Sequence, residues 1–166
     1  MPTHRLLILL LCLGFIPQAF TTPQASLGIL PLKNHSGLEF QWISIGTSDT
    51  LTYKLSENKR LQLLERAELH ALLKKATSEE DIAELLGADH LLVGSYTVLG
   101  ESIRLDVRVL ESSRGSVKDG LAFSVRGKVK DLFSLQMEIA EKLNKELNLV
   151  ISHARLSLKE GNTFDS

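Results

Sequence analysis

The sequence predicts an α/β (α+β) domain, a mixed five-stranded sheet with helices packed on it in the order β-α-β-α-α-β-β-β-α. Three observations predict it. Short apolar runs in the first half alternate with stretches whose leucines recur every three or four residues, the pattern of strands joined by crossover helices. Residues 103–109 then alternate strictly, which is the period of a strand with one buried face. A long amphipathic segment near the C-terminus closes the order.

The first 25 residues are expected to be an export signal. Arg5 precedes an apolar run from Leu6 to Ile16, and "PQAFTTPQAS" then turns small and polar, with cleavage expected after Ala19 or Ala25. The run is short for a membrane span, so no spanning segment is expected in the mature chain. Cys12 is the only cysteine and lies inside that run, preceded by Leu10 and Leu11 rather than a small residue. The mature protein is thus expected to have no disulfide, thiolate nucleophile or thiolate metal site.

The folded part is expected over residues 27–150, with 151–166 a tail or the start of a further region. "LGILPL", Leu27 to Leu32, reads as a buried first strand ended by Pro31. A helix follows with Ile43, Leu51 and Leu55 on one face, and Trp42 is expected to anchor the core. Arg60 to Arg66 reads as a second strand. "AELHALLKKA" is helical through Leu69, Leu72 and Leu73.

A helix restarts at "TSEEDIAELLG". Thr77 or Ser78 can cap it, Glu80 or Asp81 can complete a capping box, and Gly87 suits a left-handed end. Ile82, Leu85 and Leu86 form its apolar face. Two strands then flank Gly100–Glu101, a pair suited to a type II′ turn. Gly94 in the first of them is expected to permit close backbone approach. Ile103, Leu105, Val107 and Val109 face the core, while Arg104, Asp106 and Arg108 face water or a partner. A strand with Leu121, Phe123 and Val125 on one face follows "SSRGS". The closing helix carries Leu132, Leu135, Ile139, Leu143 and Leu147, with Asp131 as its expected N-cap.

The chain has 166 residues, is 43% hydrophobic and 23% charged, and carries a formal net charge of −1. With only 5% aromatic residues, that balance argues against a nucleic-acid partner, which calls for a basic face and stacking rings. The phosphate-loop patterns G-x-G-x-x-G and G-x-x-x-x-G-K-[ST] are absent. "VGSYT" is not a nucleophile elbow, because Thr97 stands where the second glycine belongs. His4, His35, His70, His90 and His153 never pair at helical spacing, so no metal pair exists. Glu65, Arg66 and Glu68 cluster where α/β strands end, and read best as helix-start and ion-pair residues. No catalytic, cofactor or metal residue is therefore expected. The candidate partner contacts are Asn34 and His35, on a loop after the first strand, and Arg104, Asp106 and Arg108, on the wet strand face.

"GILPLKNHSG", "LLERAELHALLKK", "IAELLGADHLLVGSYT" and "DLFSLQMEIAEKL" together resemble the CsgG / FlgO / TolB-N-terminal-like domain family over about residues 27–150. The resemblance implies a mixed-sheet α/β domain of the bacterial envelope with no catalytic apparatus. Some such relatives form a ring-shaped secretion channel as outer-membrane lipoproteins, others are envelope proteins linked to flagella, and others precede TPR repeats. Two departures, no lipidation cysteine and no long alternating apolar insert, speak against a pore made by this chain alone. "SSRGS" also replaces the family's usual turn pattern.

The expected function is that of an exported, non-enzymatic module in the periplasm or on the periplasmic face of the outer membrane. It would bind envelope proteins or copies of itself during secretion or surface assembly. The alternative is a ligand-sensing or regulatory N-terminal domain of a TPR-containing envelope protein.

Overall fold

The computed structural model describes residues 24–113 and 116–161. Residues 1–23 of the expected export signal lie outside the described residues, whereas Gln24 and Ala25 are described and Ala25 already pairs with Leu61 in the sheet.

The first strand, β1 (Ala25–Ile29), is shorter than expected, and a two-residue strand, β2 (Lys33–Asn34), follows it. Both pair in parallel with β4 (His90–Leu99). Ile29 aligns with Leu92, yet Lys33 aligns with Ser95, so one extra residue is accommodated between them. Pro31 sits in that gap, where it has no N–H to give a ladder. The slip lets Leu30 and Leu32 serve opposite faces. Leu32 joins the larger core and Leu30 the smaller.

Helix α1 (Trp42–Leu55) is rich in serine and threonine. Ser48, Thr50 and Thr52 donate their hydroxyls to the carbonyls of Ile45, Gly46 and Ser48, which satisfies polar groups that otherwise disfavour a helix. Ile43, Leu51 and Leu55 are fully buried, as their spacing predicts. Trp42 is 57% exposed and corrects the expectation of a core anchor. It shares the outer side of the helix with Ile45 and Tyr53, both also exposed, one residue out of phase with the buried stripe.

β3 (Leu61–Leu63) spans only the middle of the expected second strand, because Arg66 already belongs to helix α2 (Arg66–Leu73). Helix α3 (Glu79–Leu86) starts with a full capping box, Ser78 accepting from the Asp81 N–H while Asp81 accepts from the Ser78 N–H. It ends at Gly87 with φ of 59°. Ile82 is buried, but Leu85 is 58% exposed, so the apolar face is narrower than expected.

β4, β5 (Ser102–Ser113) and β6 (Ser116–Lys128) form the antiparallel half. Gly100 turns with φ of 60°, as the first central residue of a type II′ hairpin requires. The sheet runs β3-β1-β4-β5-β6, with β2 alongside β4 as a sixth strand. Helix α4 (Leu132–Gly161) follows a short 3-10 turn that contains Asp131, so this residue precedes the helix within a turn of its own. The helix continues past residue 150, and Ile151 is buried in the larger core.

Two cores result. α1 and α4 pack on one face around Leu27, Leu92, Leu105, Ile139 and Leu143. Each such leucine or isoleucine is worth roughly 1.5–3 kcal/mol when buried. Between the helices, Gln136 Nε2 donates to Thr47 Oγ1 at 3.0 Å, a buried polar contact in apolar surroundings. On the other face, Leu69 of α2 and Ile82 of α3 cover Leu91, Val93 and Leu110. Gly28 fits under them because a Cβ there would meet Leu86 and Leu91 methyls at 2.9 Å. The pleat of β5 buries Val109 and Leu110 on opposite faces, and its pairing with β6 shifts register between Arg108 and Leu110.

Candidate functional site

α2 and α3 cover only the part of their face where β4 begins and β5 ends. Beyond it the strands carry polar side chains, and a cleft of about 570 Å³ lies there. Lys33 and His35 line it from the β2 segment, Glu79 from the start of α3, Asp106 and Arg108 from β5, and Ser124 from β6. Three of the five expected contact residues, His35, Asp106 and Arg108, are thus brought to one place.

Glu79 organises one side of the cleft. It accepts from Arg108 Nη2 at 2.6 Å and pairs with Lys33 Nζ at 2.5 Å, with 14% of its side chain exposed. Burial pushes its carboxyl upward, but the hydrogen bonds and charges of Lys33 and Arg108 outweigh this and hold it below the ordinary 4.5. Asp106 organises the other side. It accepts from Arg104 Nε at 2.7 Å and from the Ser124 hydroxyl. Burial again acts upward, and the bonds from Ser124 and Arg104 together with the Arg104 and Arg126 charges bring its carboxyl below 3.8.

Arg104 lies in an adjoining cleft of about 600 Å³, with Thr97, Arg126 and Lys128, and Asp106 lines both. The two form one strip in which five cations (Lys33, Arg104, Arg108, Arg126, Lys128) face two carboxylates (Glu79, Asp106). Asn34 stands apart. Its amide donates to the Gly37 carbonyl and to Gln41, and its oxygen accepts from the Ser36 N–H, so it shapes the loop that presents Lys33 and His35. Sequence reasoning missed Lys33, Glu79, Ser124, Arg126 and Lys128, which lie on other elements than β5. The available signals were the alternation of β6, which turns Ser124 and Arg126 away from the face of Val125, and a charged residue directly after the N-cap of a helix.

Charged pairs on strands can bind and orient a partner. Among the described residues no group of three His, Cys, Asp or Glu side chains is placed to hold a metal ion. His70 is exposed on α2 and lines a separate crevice, and His153 lies within α4. Ser95 is a β4 strand residue in the cleft wall. Among the described residues no helix is long and apolar enough to cross a membrane.

With the cleft defined, comparison with known proteins bears on the fold. No protein-family model matches the chain, and no curated protein matches it in sequence. Solved structures do. The chain has the α/β fold of lipoprotein GNA1162 from Neisseria meningitidis, at 18% identity and a TM-score of 0.52, over 75% of this chain and 97% of that one. The LpoB C-terminal domain from Salmonella enterica is similar at 14% identity and a TM-score of 0.48, over 66% of this chain and 87% of that one. TolB from Acinetobacter baumannii matches at 8% identity and a TM-score of 0.49, over 75% of this chain and 29% of that one. This places the chain's fold beside that of a bacterial lipoprotein and leaves a CsgG or FlgO relationship resting on the sequence motifs.

Proposed function

We propose that the protein is an exported, non-enzymatic module of the bacterial envelope that binds another envelope protein through the polar face of β4, β5 and β6. The observation that carries this is the strip of five cations and two carboxylates on a sheet face that α2 and α3 leave uncovered. Its excess of positive charge fits an acidic protein surface, and its internal ion pairs hold the side chains in place before contact. The N-terminal order of charged, apolar and small polar residues supports export, to the periplasm or the periplasmic face of the outer membrane. The motif resemblance to the CsgG / FlgO / TolB-N-terminal-like family, and the fold shared with a bacterial lipoprotein, support an envelope role in secretion or surface assembly.

The test is site-specific photo-crosslinking in cells from position 126, compared with position 141 on the outer side of α4. A defined adduct from position 126, lost when Arg104 and Lys128 are changed to Glu, is expected. Adducts indifferent to those charges, or none, overturn the reading.

Self-association is a second reading, favoured by β6, thirteen residues long and the last strand of the sheet. Such an edge offers unpaired backbone groups to another copy. Light scattering should then show dimers or larger species, and a strict monomer at high concentration overturns it.

A further inference from the structure

The chain leaves the parallel half of the sheet in two directions. It passes from β1 through α1 over one face to β3, and from β3 through α2 and α3 over the other face to β4. β1 and β3 are parallel neighbours, so the connections at their carboxyl ends diverge. Open α/β sheets take ligands in the space outside the carboxyl ends of their strands. A crevice of about 170 Å³ occupies it here, walled by Leu27, Ile29, Ile45, Leu63, Leu69 and Leu73. Apolar cavities of roughly 150 Å³ accept a benzene-sized molecule, so the space suits one leucine or phenylalanine side chain.

The polar groups of the crevice narrow the class of ligand. Arg66 Nη1 donates to Asp49 Oδ1 at 3.0 Å and Oδ2 at 3.3 Å, joining α2 to α1 across the lining. These bonds use one nitrogen and leave Nε and Nη2 as donors. A free anion is disfavoured, because Asp49 already holds Arg66, and Glu65 and Glu68 flank it in the chain. A neutral peptide group fits, with a carbonyl for Arg66 and an N–H for Asp49. β3 also ends the sheet, so one side of its backbone has no strand partner among the described residues. This favours an extended polypeptide over an isolated small molecule.

We propose that the crevice between α1 and α2 binds one apolar side chain, of leucine or phenylalanine size, carried by an extended segment of another polypeptide whose peptide carbonyl bonds Arg66. The site is separate from the charged strip and does not depend on its role.

The probe is a capped peptide, acetyl-Ser-Leu-Ser-amide, against acetyl-Ser-Ala-Ser-amide, titrated into the ¹⁵N-labelled protein by NMR. Saturable shifts at Ile45, Leu63, Arg66 and Leu69 are expected for the leucine peptide, with Kd on the order of 1 mM. The alanine peptide should bind about tenfold more weakly or worse. Ile45→Trp, at a half-exposed wall position, should fill the crevice and remove binding, and Leu73→Trp repeats the test if the first variant is misfolded. Arg66→Gln should weaken both peptides while preserving the preference for leucine. Equal binding of the two peptides, absence of saturable shifts, or shifts centred on β4–β6 would each overturn the proposal. None of these results touches the crosslinking at position 126.

Discussion

Glu79, the first residue of α3, accepts from Arg108 in the middle of β5 at 2.6 Å. One helix start is thereby tied to a strand on the far side of β4, and Lys33 completes the contact from β2. Glu79→Gln should destabilise the protein by about 1–2 kcal/mol, the range for hydrogen bonds to a charged group, reduced for the exposure of Lys33. Glu79 titrates below its ordinary 4.5 when folded, so its contribution is complete above that pH and is lost as pH falls through the lower folded value. Urea unfolding of both proteins at neutral pH and near pH 3 measures this. The gap should narrow in acid, and a gap that widens contradicts the assignment.

His90 behaves in the opposite chemical sense. It is 7% exposed, and its Nδ1 has no hydrogen-bond partner among the described residues. Burial lowers its pKa below 6.5 despite the nearby charges of Glu111 and Asp89. The unfolded chain takes up the proton first, so stability should be full above about pH 6.5 and fall as pH drops toward the folded value, by at most about 1.4 kcal/mol per pH unit. His90→Leu should flatten that part of a melting-temperature profile, whatever it does to stability overall.

Two glycines should respond in opposite directions. A Cβ at Gly94 would collide with the Asp106 carbonyl oxygen and press on Val107, both on the paired strand. Gly94→Ala should cost about 1–3 kcal/mol in overpacking. Gly46 lies inside α1 with nothing within 4 Å of an added Cβ. Gly46→Ala should stabilise by about 0.5–1 kcal/mol. Denaturant midpoints of the two variants decide both.

Asp89 bonds Ser26 three times. Its Oδ2 accepts from the Ser26 N–H at 2.7 Å and hydroxyl at 2.8 Å, and its own N–H donates to that hydroxyl at 2.8 Å. Asp89→Ala should cost about 1–3 kcal/mol, and Ser26→Ala about 1 kcal/mol. The double variant should cost less than the sum, because both remove the same contacts. Strict additivity in a thermal or chemical unfolding cycle would contradict this.

What the sequence disclosed follows the reach of each signal. Alternation at Ile103, Leu105, Val107 and Val109, and the capping residues Ser78 and Asp81, are short-range patterns, and both are in the structure as read. The buried stripe of α4 was equally legible, and Ile151, four residues after Leu147, continues its spacing although the domain was expected to end at residue 150. Strand β2 is two residues long and has no periodicity to detect. Trp42 was assigned inward by residue type, whereas helical phase turns it outward, and Leu85 keeps the spacing of an apolar face with Ile82 yet is exposed. In the charged strip, β5 announced Arg104, Asp106 and Arg108 through alternation. Their partners Glu79 and Ser124 are separated by 29 residues from Arg108 and 18 from Asp106, distances that only the folded sheet closes.

The contact between Gln136 and Thr47 has a consequence for how α4 finds its seat on α1. Leucines and isoleucines tolerate being slid along one another, because dispersion contacts are much alike from one turn to the next. A displaced helix would instead leave an amide and a hydroxyl stranded in hydrocarbon, a penalty of about 1–3 kcal/mol for each unsatisfied group. A pair that adds little net strength thus acts as an index mark, rejecting the neighbouring alignments that the apolar side chains would accept.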